Sequence, residues 1–321
     1  MAKKNFALLG LGGYIAPRHL KAIKETGNEL LAAMDTSDSV GVIDSYFEDV
    51  DFFTEFERFD RHVDKLRQEK NKKIDFVSIC TPNYLHDSHI RFGLRNDADV
   101  ICEKPIVLNE KNIDGLLEVQ DRYPGTIYTI LQLREHQAIL DLKKKVDSKS
   151  SVQKHNIDLH YITPRGKWYD YSWKGDIEKS GGVATNIGVH FFDMLTWIFG
   201  KPEYAELHLN DPKHKMAGFL SLEKANVRWY LSVDRNDLKT LGKHTTKAYR
   251  ALSINNEEFD FSKGFTDLHT KVYQSILNGK GYTIEDTRNA ISLVEKLRFM
   301  PEQKAFDNNQ YHPVTKKIKG Y

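Results

Sequence analysis

Cysteine is nearly absent. Cys80 and Cys102 are the only two in 321 residues, and both lie inside apolar, strand-like runs. That count excludes a disulfide-stapled fold and reads as two buried thiols in a reducing compartment, the cytoplasm. Long apolar runs are missing as well. None approaches the roughly 20 residues that a membrane helix needs. The glycines and Pro17 break the short apolar stretch after Met1-Ala2-Lys3-Lys4-Asn5, so no signal peptide is expected. Nor does charge of one sign dominate. A formal net charge of +2 gives no electrostatic basis for binding nucleic acid or an anionic membrane. Lys143 to Lys145 follow an apolar helical pattern and read as a solvated face. There is no internal repeat, no low-complexity segment and no spacing that calls for a metal.

What the chain does have is enough apolar sequence, 40% with 11% aromatic, to build sizeable cores, and a length that fits two domains. Its organising stretch is Val100-Ile101-Cys102-Glu103-Lys104-Pro105. An apolar strand stops there at a carboxylate, an amine and a proline. In open parallel sheets the carboxyl ends of strands are where ligands bind, so Lys104 is a candidate for chemistry.

Upstream, Phe6 to Leu9 reads as a buried strand, followed by Gly10-Leu11-Gly12-Gly13-Tyr14-Ile15-Ala16 and a helix with Pro17 in its first turn. A strand, a glycine loop and a helix N-terminus make a pyrophosphate cradle, because the glycines let the backbone approach and the helix start offers N–H donors. Glu29 to Met34 is the next strand and ends at Asp35, 25 residues after Gly10. A carboxylate at that place meets adenosine ribose hydroxyls and repels a 2′-phosphate, which favours NAD over NADP. Ile74 to Cys80 is a third strand, running into Thr81-Pro82-Asn83-Tyr84-Leu85-His86. After Val100 to Cys102 come a helix from Ile106 to Tyr123 and a strand from Ile127 to Leu133, with Gln132 and Arg134 at the expected carboxyl edge. Strands alternating with helices describe a doubly wound parallel sheet.

The second half changes texture. Lys154 to Tyr161 alternates like a strand. Arg165 to Lys174 is aromatic and cationic, and suits either a surface loop or a pocket wall for a polar, ring-bearing ligand. In Ser180-Gly181-Gly182 through Leu195, a helix would place Asn186, His190 and Asp193 on one face, with Gly188 permitting close packing. Glu206 to Leu209, Ala217 to Leu222, Ala225 to Val233 and Leu252 to Ile254 read as an antiparallel sheet. Phe265 to Leu277 and Ile284 to Arg298 read as helices. The tail from Gln303 reads as polar and surface-bound or frayed.

In order and spacing, the loop Gly10 to Ala16 with His19, Cys80-Thr81-Pro82-Asn83 with His86, Glu103-Lys104-Pro105, Gly181-Gly182 and Gly188-Val189-His190-Phe191-Phe192-Asp193 together resemble the Gfo/Idh/MocA oxidoreductases. The resemblance covers nearly the whole chain. It implies an N-terminal Rossmann domain, residues 1–128, and a C-terminal α+β domain, residues 129–321, with an open, largely antiparallel sheet for substrate binding and oligomerisation. A dimer or tetramer is the family expectation, with the tetramer favoured. Within the family, Gly13 to Ile23, Ser172 to Asp176, Ala184 to His190 and Gly264-Phe265-Thr266-Asp267-Leu268-His269 are similar to the subgroup that oxidises the C3 hydroxyl of UDP-N-acetylglucosaminuronate in bacterial surface-polysaccharide (O-antigen) synthesis.

The resemblance implies NAD as cofactor, held by Gly10, Gly12, Gly13, Tyr14, Ile15, Asp35, Thr81, Asn83, His86, Glu103, Lys104 and Gln132. It implies a UDP-sugar met by Lys104, Tyr161, Arg165, Asn186 and His190, with Lys104 and His190 catalytic. A 2-oxo acid is the expected oxidant wherever the nucleotide stays bound, and an aminotransferase the expected consumer of the 3-keto product. Many members carry Asp where this chain has Asn186. An amide cannot accept a proton at neutral pH, so His190 or Lys104 must do so, and the choice stays open. The competing readings are a related dehydrogenase of a free sugar or inositol, and a catalytically silent NAD-binding sensor.

Overall fold

The structure is a computed structural model that describes residues 3–69, 71–148, 153–243, 247–261 and 264–320. Packing divides the chain into two compact units, Met1–Glu135 with Thr266–Arg288, and His136–Phe265 with Asn289–Tyr321.

The first unit carries β1 (Asn5–Leu9), β2 (Glu29–Met34), β3 (Asp51–Phe53), β4 (Phe76–Ile79), β5 (Asp99–Cys102) and β6 (Ile127–Thr129). They form one sheet in the order β3-β2-β1-β4-β5-β6, with every pairing parallel. Phe76 to Ile79 and Val100 to Cys102 are buried at every position. That is the pattern of a sheet covered on both faces. Helix Ala16–Glu25 buries Ala16, His19, Leu20, Ala22 and Ile23, one stripe at helical spacing. It packs beside helix Leu268–Leu277, whose Val272, Tyr273 and Ile276 join Phe6, Leu20 and Ile23 in one core. The same late segment then pairs with the sheet edge: Thr129 N–H donates to the Tyr282 carbonyl at 2.9 Å, and Ile284 N–H to the Ile127 carbonyl at 3.2 Å. Those contacts tie residues 266–288 to the first unit; the division by packing falls at 135/136, and the sequence reading put it at 128/129.

The second unit carries β7 (His155–Ile162), β8 (Pro202–Asp211), β9 (Lys215–Leu222), β10 (Ala225–Ser232), β11 (Tyr249–Ile254) and β12 (Glu257–Glu258), in the order β12-β11-β7-β10-β9-β8. Only β7 with β10 is parallel; the other pairings are antiparallel. Adjacent residues of a strand point to opposite faces. Trp229 meets Phe192 of helix Val189–Phe199 edge-on, with ring centroids 5.3 Å apart. Its neighbour Tyr230 joins a separate core with Ile162, Ala217, Leu238 and Val314.

Val314 belongs to the tail, where the structure corrects the expectation of a frayed segment. Helix Pro313–Lys319 starts on Pro313, is capped by the His312 side chain and ends at Gly320 in the left-handed region. His312 and Thr315 are fully buried beneath it.

Candidate functional site

Parallel strands bring their carboxyl ends to one edge, and the strand order reverses between β1 and β4. A crevice opens at such a switch point. Gly10 closes it from one side. Its φ is +89°, and a Cβ there would lie 2.6 Å from the Cys80 carbonyl carbon, so backbone conformation and space both demand glycine. Two residues on, the Gly12 N–H donates to Asp35 Oδ2 at 2.8 Å, while the Ser37 N–H donates to Oδ1 at 2.8 Å. Tyr14 is 88% exposed, whereas Ile15 packs on the core beneath.

After β4, Thr81 Oγ1 bonds His89 Nδ1 at 2.9 Å, and Asn83 is buried in the following turn. His86 is buried completely. Its Nδ1 lies 2.7 Å from the Pro105 carbonyl oxygen and its Nε2 2.9 Å from that of Thr81. Both acceptors are carbonyls, so only a ring with two N–H groups donates to both. Burial lowers the His86 pKa, while the two carbonyls and Glu103 oppose that shift. The ring ties the turn after β4 to the Lys104-Pro105 turn after β5.

Glu103 is the buried charge of this edge. His19 Nε2 donates to its Oε1 at 3.0 Å and His269 Nε2 to the same oxygen at 2.9 Å, while the Lys104 N–H donates to Oε2 at 3.2 Å. Burial pushes the Glu103 pKa up. The hydrogen bonds from His19 and His269 outweigh it and hold the carboxyl well below its usual range. One ligand atom each from His19, Glu103 and His269 lie within 4.8 Å of one another, but the two imidazole contacts are hydrogen bonds in length. Cys80 and Cys102 are free, buried thiols that burial pushes well up.

Past β6, the buried Gln132 Oε1 has no hydrogen-bond partner among the described residues, which leaves an acceptor for a donor on a bound group. Arg134 does structural work: Nη2 donates to the Asp286 carbonyl at 2.9 Å. The glycine cradle, the helix start, the placed carboxylate of Asp35 and the unpaired Gln132 oxygen together fit a dinucleotide.

In the second unit, every residue from Gly181 to Thr196 is buried except Asn186 and His190. They stand four residues apart where the π-helical segment Ala184–Gly188 runs into helix Val189–Phe199, and local π geometry of this kind gathers at functional sites. Asp193, placed on the same face by helical spacing, is only 2% exposed. Gly188 lets the segment sit close on β10, because a Cβ there would come within 2.5 Å of Leu231 Cδ1.

Tyr161 of β7 packs on Phe191, with centroids 5.2 Å apart. Tyr169 is buried, and burial pushes its hydroxyl up to about 12, with the side chain of Asn186 and the charge of Arg165 opposing. The exposed Arg165 donates through Nη1 to Thr163 Oγ1 at 2.8 Å. Burial, then the charge of Arg165, lowers the Lys174 pKa. The aromatic, cationic segment is therefore anchored at its centre and lies next to Asn186. Within this unit Arg165, Asn186 and Lys174 come together around Tyr169, and Tyr161 packs beside Phe191, the neighbour of His190.

The sequence reading quoted His19 and His269 only inside resembling segments and assigned them no role. They lie 84 and 166 residues from Glu103, and nothing local marks their convergence. Tyr169 could have been singled out as the apolar-facing member of an otherwise exposed aromatic turn.

Residues 4–129 match the family described as "Oxidoreductase family, NAD-binding Rossmann fold", and residues 151–232 its "C-terminal alpha/beta domain". Among solved structures, the WlbA (WbpB) dehydrogenase of Thermus thermophilus in complex with NAD and UDP-GlcNAcA is 43% identical, with a TM-score of 0.91 over 97% of this chain and 99% of that one. The same protein in complex with NAD and alpha-ketoglutarate gives a TM-score of 0.90. Among curated relatives, the myo-inositol 2-dehydrogenase of Thermotoga maritima is 24% identical over 132 residues, 41% of this chain and 38% of that protein. This chain therefore spans less than half the length of that curated relative. On these matches the chain belongs to the Gfo/Idh/MocA family of NAD-binding oxidoreductases.

Proposed function

We propose that this protein oxidises the C3 hydroxyl of UDP-N-acetylglucosaminuronate to a ketone, using NAD. The observation that carries this reading is the near full-length match to the Thermus dehydrogenase held with that sugar nucleotide. Bound NAD supplies the hydride acceptor. Gly10, Gly12, Gly13, Tyr14, Ile15 and the start of helix Ala16–Glu25 receive its pyrophosphate, and Asp35 its ribose hydroxyls. Thr81, Asn83 and Gln132 complete the edge, with His86 and Glu103 fixing it from behind and Lys104 reaching the reacting end.

His190 accepts the hydroxyl proton, a task for which imidazole is suited near neutral pH. Lys104 donates a hydrogen bond to the same oxygen and stabilises the negative charge that develops there. Asn186, an amide that cannot take the proton, orients the sugar. Arg165 binds the uronate carboxylate or the diphosphate, both of which match guanidinium geometry, with Tyr161 beside His190's neighbour Phe191. The complex of the Thermus protein with alpha-ketoglutarate supports a 2-oxo acid as the oxidant that recycles the nucleotide. An aminotransferase that consumes the 3-keto sugar, a place in bacterial surface-polysaccharide (O-antigen) synthesis, a cytoplasmic location and a homotetramer complete the proposal. No helix among the described residues is long and apolar enough to cross a membrane.

Initial rates with UDP-N-acetylglucosaminuronate and with myo-inositol, each with and without added UDP, test the substrate. Oxidation of the sugar nucleotide that UDP inhibits supports the proposal. Turnover of inositol alone, indifferent to UDP, overturns it.

A further inference from the structure

We propose that Glu103 is a positioning residue for Lys104, and that His19 and His269, which meet its carboxylate from two different helices, hold Lys104 in its working place. The inference rests on the reading of Lys104 as the group that meets the reacting oxygen.

Counting protons fixes the network. A carboxylate only accepts, so both imidazole Nε2 atoms at Glu103 Oε1 carry hydrogen. A neutral His19 then has a bare Nδ1, which takes the hydroxyl proton of Tyr273 at 2.7 Å. Tyr273 in turn accepts from Ser78 Oγ at 2.7 Å. The chain runs one way, from Ser78 of β4 through Tyr273 and His19 to Glu103. His269 arrives independently from helix Leu268–Leu277, and no ion is needed to hold the three groups together.

The other carboxylate oxygen folds forward onto the N–H of Lys104. The side chain of residue 103 thereby orients the peptide that leads into residue 104. On the far side, His86 holds the carbonyl of Pro105. Lys104 sits between two buried clamps just past the end of β5. A buried carboxylate that lost one of its donors would keep its charge with less to offset it, and the peptide it orients would loosen.

The groups facing Glu103 are His19 and Tyr273 with their helices, His269, His86 on helix His86–Arg95, Cys80 after β4, Cys102 before it and Lys104 after it. His19 and His269 hold the Glu103 carboxyl well down against its burial. Burial holds the His19 pKa low in spite of Glu103, which agrees with a neutral, singly protonated ring.

The test compares His269→Leu, which removes the donor, with His269→Gln, whose Nε2 can still donate. In the leucine variant kcat falls about 10- to 100-fold, the scale of a misplaced catalytic group, while the KM for NAD stays put. Its acid limb of kcat moves to higher pH, because the carboxylate has lost a donor. The glutamine variant recovers most of the rate and the wild-type pH profile. A second reading needs no turnover. With 15N-labelled histidine and no nucleotide, wild type shows exchange-protected Nε2–H signals that include those of His19 and His269, and the His269→Leu variant loses one of them and shifts another. Glu103→Gln lowers kcat on the same scale without a change of volume, since a neutral amide oxygen is a weaker acceptor for two N–H groups, and its acid limb no longer carries the titration of the carboxylate. Wild-type kcat and pH profile in both His269→Leu and Glu103→Gln, or histidine spectra in which His269→Leu removes no protected Nε2–H signal, overturn the inference. If wild type itself fails to oxidise the sugar nucleotide, the proposed function falls, and the histidine spectra still decide whether the network exists.

Discussion

Gly12 donates its backbone N–H to Asp35 Oδ2 at 2.8 Å, so the glycine loop after β1 and the carboxylate after β2 form one unit before any ligand arrives. A Cβ on residue 12 would sit 3.2 Å from Asp35 Cγ, a tight contact with the carboxylate that the loop holds. Asp35→Ala removes both the anchor and the proposed acceptor for ribose hydroxyls. Hydrogen bonds to a charged group contribute about 1.5–3 kcal/mol, so NAD affinity falls about tenfold or more. NADP affinity rises relative to NAD because the repulsion of its phosphate is gone. Fluorescence titration with both nucleotides checks the ratio.

Lys104→Ala and His190→Asn each lower kcat by about 10²–10⁴-fold, the range for a group that handles the proton or the developing charge. NAD affinity in His190→Asn stays at the wild-type value, since the role proposed for His190 is on the sugar. Steady-state kinetics with a separate NAD titration distinguish this from a loss of folding. Near-normal turnover in both variants would place the chemistry elsewhere.

Gly188→Ala drives a methyl group toward Leu231 Cδ1 and Phe192, which lie 2.5 and 2.9 Å from the ideal Cβ. Overpacking of this kind costs about 1–3 kcal/mol, and it displaces the segment that carries Asn186 and His190. The expected result is a lower Tm and a fall in kcat larger than any change in NAD affinity. Leu231→Ala in the same chain makes room and restores part of both, which thermal melts and kinetics on the double variant measure.

Much of the fold is legible because β1, β2 and β5 are short, largely buried apolar runs that stop at a glycine or a carboxylate. Glu29–Met34 is found as expected, and Gly10, Asp35 and Lys104 stand out because they end strands. The helix expected over Ile106 to Tyr123 occupies only Lys111–Gln120; Ile106 and Val107 are buried in the core from the turn before it. The tail shows the opposite error. Its charge hid Pro313 and Gly320, a helix start and stop that outweigh composition. The Glu103 cluster is illegible for a different reason: its members are joined by burial and proton direction, not by spacing.

Stability declines in mild acid, and His312 is one cause. Its ring is buried, and burial, with His160 and Arg228 adding to it, holds its pKa well below the ordinary 6.5. His160 is shifted the same way by burial. For groups with a lowered folded pKa the unfolded chain takes the proton first. The stability they contribute is present above about pH 6.5 and is lost as the pH falls. His312 Nδ1 accepts the Val314 N–H at 3.1 Å, so protonation also removes a helix cap. His312→Asn keeps an acceptor at the cap without the titration. Its Tm should fall less steeply than wild type between about pH 6.5 and 5, in melts run across that range. Equal slopes would remove His312 from the account.

The central claim is met most directly by a single turnover. High enzyme is mixed with NAD and UDP-N-acetylglucosaminuronate, reduced-nicotinamide absorbance is followed, and the sugar nucleotide is weighed by mass spectrometry. The account predicts a burst of NADH and a sugar nucleotide lighter by two hydrogens. NAD bound, with no burst and an unchanged sugar, would contradict it.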